Sequence, residues 1–298
     1  MSRPVEIAPE SCEPVVHAHA TCGESPMWSP AEQLLWWTDN VEQRIHRSDP
    51  ATGRDEELET GEDVMDIVLR EEGGLALALR KSFATYDADG GGPEVFAEVE
   101  QDRPRNRFND GKADRRGRFW AGSMDDQEWR NSSGLLWRLG ADRRPERVLD
   151  DVVCANGLGW SPDDRTFYLG ESFRYTIFAH DFDAETGTLS NRRVFAEVDD
   201  GGFPDGLTVD ADGGVWSVHN AAGRVVRYAP DGRVTHVVSM PVPHPTSCIF
   251  GGPDLDTLLV TTARQGMDED ELARYPLSGS VFAVHPGTTG LPEPSYAG

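Results

Sequence analysis

One phrase recurs six times along the 298 residues, and it limits the possible folds more than any other feature. Each copy is a short apolar strand, a turn of Asp, Gly or Pro, a second strand rich in aromatic or β-branched residues, and a polar exit. The copies are "MWSPAEQLLWWTDN" from Met27, "DIVLREEGGLALALR" from Asp66, "GKADRRGRFWAGSMD" from Gly111, "GLGWSPDDRTFYLGES" from Gly157, "GLTVDADGGVWSVHN" from Gly206 and "SCIFGGPDLDTLLVTTA" from Ser247. Successive starts lie 39, 45, 46, 49 and 41 residues apart. A second strand pair follows most copies, as in "LLWRLGADRR" and "VVRYAPDGR". About four strands per unit at a period of roughly 40–50 residues is the mark of a β-propeller blade. No apolar stripe of helical period and length competes with it. The expectation is an all-β chain, a six-bladed β-propeller of four-stranded antiparallel blades around a central channel, with one domain over residues 1–298. The N-terminal "VEIA" or "EPVVHA" is expected to close the ring by pairing with the last blade.

A propeller gathers the starts of its innermost strands around one mouth of the channel, however distant they are in sequence. Ahead of those strands stand Glu24 in "CGESPMW", Asn109 and Asp110 in "RFNDGKAD", Asn156 in "CANGLGW" and Asp205 in "FPDGLTV". Three of these precede Gly, which lets a chain turn sharply into a strand through an unusual φ. A single Asn-Gly or Asp-Gly is ordinary turn chemistry; three at equivalent blade positions, with a Glu at a fourth, point to a shared site. Two carboxylates and an amide carbonyl are oxygen donors suited to a hard divalent cation. Glu24, Asn156 and Asp205 are therefore the expected metal ligands. With no His among them, nothing in the set chooses between Ca, Mg, Mn and Zn.

Other motifs are weaker. "DADGGGPEVFAE", Asp87 to Glu98, resembles a calcium loop only in part and reads as a hairpin loop. His17 and His19 in "VHAHA" read as edge residues. Trp28, Trp120, Trp160 and Trp216 fall inside the repeated phrases, where packing accounts for them. Four widely spaced cysteines form no CxxC pair. With 52 acidic against 28 basic residues the net charge is −24, which opposes phosphate backbones and anionic lipids. No nucleic-acid or membrane partner is expected. With no apolar leader or membrane-length run, a cytoplasmic location is expected.

The motifs "CGESPMW", "RFNDGKAD", "NGLGWSPD", "PDGLTVDADGGVW", "TSCIFGG", "LLVTTARQGM" and "PSYAG" resemble, in order and over nearly the whole chain, the family of gluconolactonase, regucalcin and luciferin-regenerating enzyme. That resemblance implies a six-bladed propeller with one divalent metal ion on Glu24, Asn156 and Asp205. It implies sugar contacts from Arg107 and Asn109, and an acid/base role for Asp205. Counting from "RFNDGK" puts Gln127, with Asp125, Asp126 and Glu128 around it, where relatives carry an acidic sugar contact. Glu171 also departs from the family pattern, and His219 and Asn220 replace residues that face the pocket in relatives. The implied activity is metal-dependent hydrolysis of a small-molecule sugar lactone by a monomer or weak homodimer. Two rival readings keep the scaffold: a calcium-binding regulatory protein, and a metal-dependent esterase or phosphotriesterase with a less polar mouth around Met124, Phe173 and His219.

Overall fold

The computed structural model describes residues 3–88 and 91–298. Six sheets of antiparallel strands form the ring of a β-propeller. Blade one runs from an inner strand Gly23–Ser29 to an outer strand Arg54–Glu59, and blade two from Val64–Leu69 to Glu94–Glu98. Blade three spans Asn106–Ala113 to Pro145–Val152, and blade four Ala155–Trp160 to Thr188–Glu197. Blade five spans Phe203–Val209 to Val234–Ser239. Blade six has Pro245–Gly251, Thr257–Thr262 and Val281–Val284.

The residues of each strand follow from its radial place. Inner and second strands are covered by neighbouring blades on both faces, so "VMDIVL" and "FWAGSMD" are buried almost throughout. Outer strands face solvent, and "RDEELE" alternates partly buried with exposed charge, which also discourages pairing with another molecule's edge. The core lies between blades. Trp120 packs edge-on against Trp160 with ring centres 5.9 Å apart, and Trp216 against Phe250 at 6.0 Å. All four tryptophans expected to pack are buried.

Two copies of the phrase contain D-x-x-G-x-x-W, and the structure gives its reason. Asp114 accepts the N–H groups of Arg116 and Arg118 and the indole N–H of Trp120. Asp210 does the same for Asp212, Gly214 and Trp216. One buried carboxylate thus satisfies a turn and fixes the aromatic ring that the next blade packs against.

The ring closes through "EPVV": Glu13–Val16 is the outer strand of blade six, with Glu13 opposite Ala283. The alternative "VEIA" is corrected. Val5–Ile7 lies parallel to Val234–Ser239 as a fifth strand on blade five, with Val5 opposite His236. The outer edges of neighbouring blades lie close together, so the short link through Pro9–Ser11 steps from one to the next. The one α-helix among the described residues, Glu269–Arg274, carries an Asp268/Glu271 capping box and buries nothing, so it left no apolar stripe to find. In "DADGGGPEVFAE", Glu94–Glu98 is the edge strand of blade two, while Asp89 and Gly90 lie outside the described residues.

The C-terminal segment crosses the end of the ring opposite the mouth. Thr289 and Gly290 bond to Ala211 and Leu255, Tyr296 bonds to Leu69 and Glu71, and Ala297 bonds to Gly117. Glu293 meets Lys112 at 3.3 Å in the channel. No helix among the described residues is long and apolar enough to cross a membrane.

Candidate active site

Every inner strand shifts register against its neighbour near its first residues. The shifts fall at Glu24/Met27, Val64/Asp66, Phe108/Asp110, Asn156/Leu158, Pro204/Leu207 and Pro245/Cys248. A bulge adds a residue that the partner strand does not match and re-aims its side chain. Six side chains at or beside these bulges, Glu24, Met65, Asn109, Asn156, Asp205 and Thr246, line one cavity of about 560 Å³.

The glycines that follow serve this geometry in two ways. Gly157 has φ +56, and a Cβ there would also meet Asp205 O at 2.6 Å. Gly206 has no positive φ; a Cβ would stand 2.0 Å from Ser247 Oγ of blade six. The second Gly is required by close approach of the inner strands, not by the unusual φ expected.

The side chains around the cavity floor are held in set orientations. Asn156 donates from Nδ2 to Ser172 Oγ at 2.9 Å, and Ser172 donates to Pro204 O at 2.7 Å, leaving Asn156 Oδ1 for the cavity. Asp205 Oδ2 accepts from Asn220 Nδ2 at 2.9 Å, and Asn220 Oδ1 lies 3.1 Å from His244 Nδ1. Among the described residues, Glu24 accepts only the Ser25 N–H, at 3.3 Å. Among the described residues, neither Glu24 nor Asp205 has a cationic partner. Burial pushes the Asp205 carboxyl up to about 7, helped by the charge of Asp110. Burial and then the charges of Asp205 and Asp110 push Glu24 well above the usual carboxylate range. Beneath them, Asp110 accepts the N–H groups of Gly111 and Gly157 at 2.7 and 2.5 Å. Asp66 Oδ2, also buried, has no hydrogen-bond partner among the described residues. Two under-compensated carboxylates with an oriented amide oxygen fit a hard divalent cation.

Arg107 and Asn109 form part of the cavity wall. Arg107 donates to Asp126 Oδ1 at 2.7 Å and to Phe108 O and Asn109 Oδ1 at 2.8 Å each. Asn109 Nδ2 donates to Ala155 O at 2.9 Å. Asp126 also accepts from Arg80, at 2.5 Å. Burial works against ionisation of Asp126, but its bonds to Arg107 and Arg80 prevail and hold the carboxyl below the usual range.

Of the six residues expected in the site, five line this cavity. Gln127 does not: it is exposed in a separate depression with Glu128, Trp129, Arg130 and Asn131, and Asp126 takes the cavity side. The strand ends at Asp125, whose carboxylate accepts the N–H groups of Gln127 and Glu128 and folds the chain over, so counting along the strand fails there. Glu171 is buried away from the cavity against Arg174 and Arg192. His219 is likewise buried, between Asp200 at 2.8 Å and the Tyr228 hydroxyl at 3.2 Å. Ser172, which orients Asn156, carried no motif of its own, and Asn220, which orients Asp205, stood out only as a departure from the family pattern at a pocket-facing position. The grouping of His46, Asp55 and Glu57 lies on the outer strands of blade one, where Asp55 already holds His46 and Arg44 holds Glu57.

A family profile described as "SMP-30/Gluconolactonase/LRE-like region" matches residues 22–264. The chain belongs to this family. Within the SMP-30/gluconolactonase/LRE-like family it is 39% identical over 291 residues to a 6-deoxy-6-sulfogluconolactonase of Pseudomonas putida, covering 97% of this chain and 99% of the relative. It is 37% identical to the regucalcin of Xenopus laevis, over 96% and 98% of the two chains. A solved structure described as a calcium-binding protein, regucalcin, from Agrobacterium tumefaciens superposes with a TM-score of 0.92 at 26% identity, covering 99% of each chain.

Proposed function

We propose that this chain hydrolyses sugar lactones with the help of one divalent cation. The observation that carries the reading is the convergence of Glu24, Asn156 and Asp205 on the floor of a cavity whose wall holds Arg107 and Asn109. A cation held by the three oxygen donors would polarise the lactone carbonyl and stabilise the negative charge that develops on its oxygen. Asp205 takes a proton from the attacking water as the oxygen bonds to the carbonyl carbon. It returns that proton to the ring oxygen as the ring C–O bond breaks, leaving an aldonic acid. Asn220 holds Asp205 in the orientation this transfer needs. Arg107 and Asn109 bind substrate hydroxyls and set the carbonyl over the floor. The lactonase named among the relatives supports a sugar lactone as substrate class.

A purely calcium-storing role would be served by a closed shell of protein oxygens, whereas these three donors open onto a cavity large enough for substrate. The esterase reading draws on Met124 and Phe173, which line the cavity, but His219 does not join them. The test is hydrolysis of gluconolactone followed by pH-stat. Chelation is expected to abolish it, and adding back Ca, Mn, Zn or Mg singly is expected to restore it with at least one ion. Full activity in demonstrably metal-free protein would overturn the reading.

A further inference from the structure

The cavity has one wall that is aromatic. Trp129 is 55% exposed, whereas six of the other seven tryptophans are buried and Trp137 is half-buried. Its ring stacks on Phe173 at 5.6 Å and 18°, and Phe173 packs on Phe203 at 5.7 Å and 38°. All three line the cavity, on the side formed by blades three to five. Arg130, next in sequence, reaches over the Tyr175 ring and donates to its hydroxyl at 3.1 Å, bracing the same rim. Aromatic side chains gathered side by side on the wall of a cavity are a mark of a binding surface.

Size points the same way. Pockets of roughly 300–1,000 Å³ hold drug-sized ligands, and a single six-carbon lactone is much smaller than these. At about 560 Å³ the cavity has room beyond the lactone ring. The aromatic wall is flanked by the exposed Gln127, and Trp129 belongs to both the cavity and the adjoining depression. An alkyl chain would leave this polar neighbour unused. A pyranose ring uses both, since it offers a C–H face to the indole and hydroxyls at its edge to the amide.

Resting on the lactonase reading, we infer that Trp129, Phe173 and Phe203 form a second sugar subsite, and that the preferred substrates are aldonolactones carrying a further glycosyl ring. Gln127, displaced from the role the family pattern suggested, belongs to this outer subsite.

The test compares the metal-loaded protein on gluconolactone and on cellobionolactone, together with calorimetric binding of cellobionate. Cellobionolactone is expected to have the higher kcat/KM. In Trp129→Ala the ratio of kcat/KM for cellobionolactone over gluconolactone is expected to fall about three- to tenfold, the range of an aromatic stacking contact. Trp129→Phe is expected to recover most of the ratio. Exclusion of cellobionolactone, or an unchanged ratio in Trp129→Ala, would overturn the subsite. If neither lactone is hydrolysed, the lactonase reading falls separately and binding decides the subsite: cellobionate binding weakened by Trp129→Ala upholds it, and no binding by the parent protein overturns it.

Discussion

Two aspartates stand at opposite ends of one inner strand, five positions apart in number, and their surroundings could hardly differ more. Asp210, just beyond Phe203–Val209, accepts two backbone N–H groups, the Trp216 indole and two N–H groups of the buried Arg227. Asp205, at the mouth, has the Asn220 amide and a second carboxylate, Glu24, across the cavity. The far end of the channel repeats the first pattern, with Lys112 set against Glu293. One end is electrostatically complete and therefore structural. The other is left short of positive charge, which is the condition for binding a cation from solution.

The largest contrast is expected from exchanging each aspartate for its amide. Asp205→Asn should lower kcat by about 10²–10⁴-fold at saturating metal, the usual worth of general-base help. Its metal-free melting temperature should hold or rise, because one of two neighbouring buried carboxylates is gone. Near-normal turnover with an early melt would make Asp205 a turn residue and break the comparison.

Asp210→Asn should do the reverse. Arg227 would be left buried beside a neutral partner, a change that costs about 3–5 kcal/mol when one side of a buried pair is lost. Urea unfolding would show the loss, while kcat of the folded fraction stays unchanged. A variant as stable as the parent would deny Asp210 its structural role.

Asn220→Ala sharpens the picture at the mouth. Removing a group that orients a metal ligand typically costs about 10–100-fold in metal affinity or activity. Calcium titration calorimetry alongside kinetics would detect it, and unaltered values in both would show that Asp205 needs no help from Asn220.

The smallest effect is on pH dependence. Burial, reinforced by neighbouring charge, raises the folded-state pKa of Asp205 and Glu24 above the unfolded values. Metal-free folded protein therefore holds protons that the unfolded chain releases. This contribution to stability is complete below the unfolded carboxylate pKa and is lost as pH rises, for Asp205 through about 7. Urea midpoints of metal-free protein should fall across this window and recover with added cation. A flat profile without metal would mean that the mouth is already charge-balanced.

The period of the phrase carried the blades, and the propeller carried Glu24, Asn109, Asn156 and Asp205 to one place, because position along an inner strand fixes position around the axis. What escaped reading lies where that link is broken. Asp126 follows the last residue of its strand, so strand alternation no longer says which way it points. Asn220 stands at a position the family pattern turns toward the pocket, yet nothing in the sequence says that it holds Asp205, and Ser172, in a turn, looks like any polar residue leaving a strand. Val5–Ile7 is too short to show a pattern, and its partner is chosen by the free edge beside it.

The join in blade six has a consequence for how long the ring stays shut. Glu13–Val16 meets Val281–Val284 there, and contacts so remote in sequence are slow to form because the whole intervening chain must be gathered first. The candidate ligands straddle this seam, with Asp205 in the blade before it and Glu24 in the blade after, and Thr246 of blade six bonds Gly23 O between them. A cation on all three donors would act as a clasp across the join that brings the two ends of the chain together. It would slow the first step of opening in proportion to how tightly it is held, tying the lifetime of the fold to the supply of an ion.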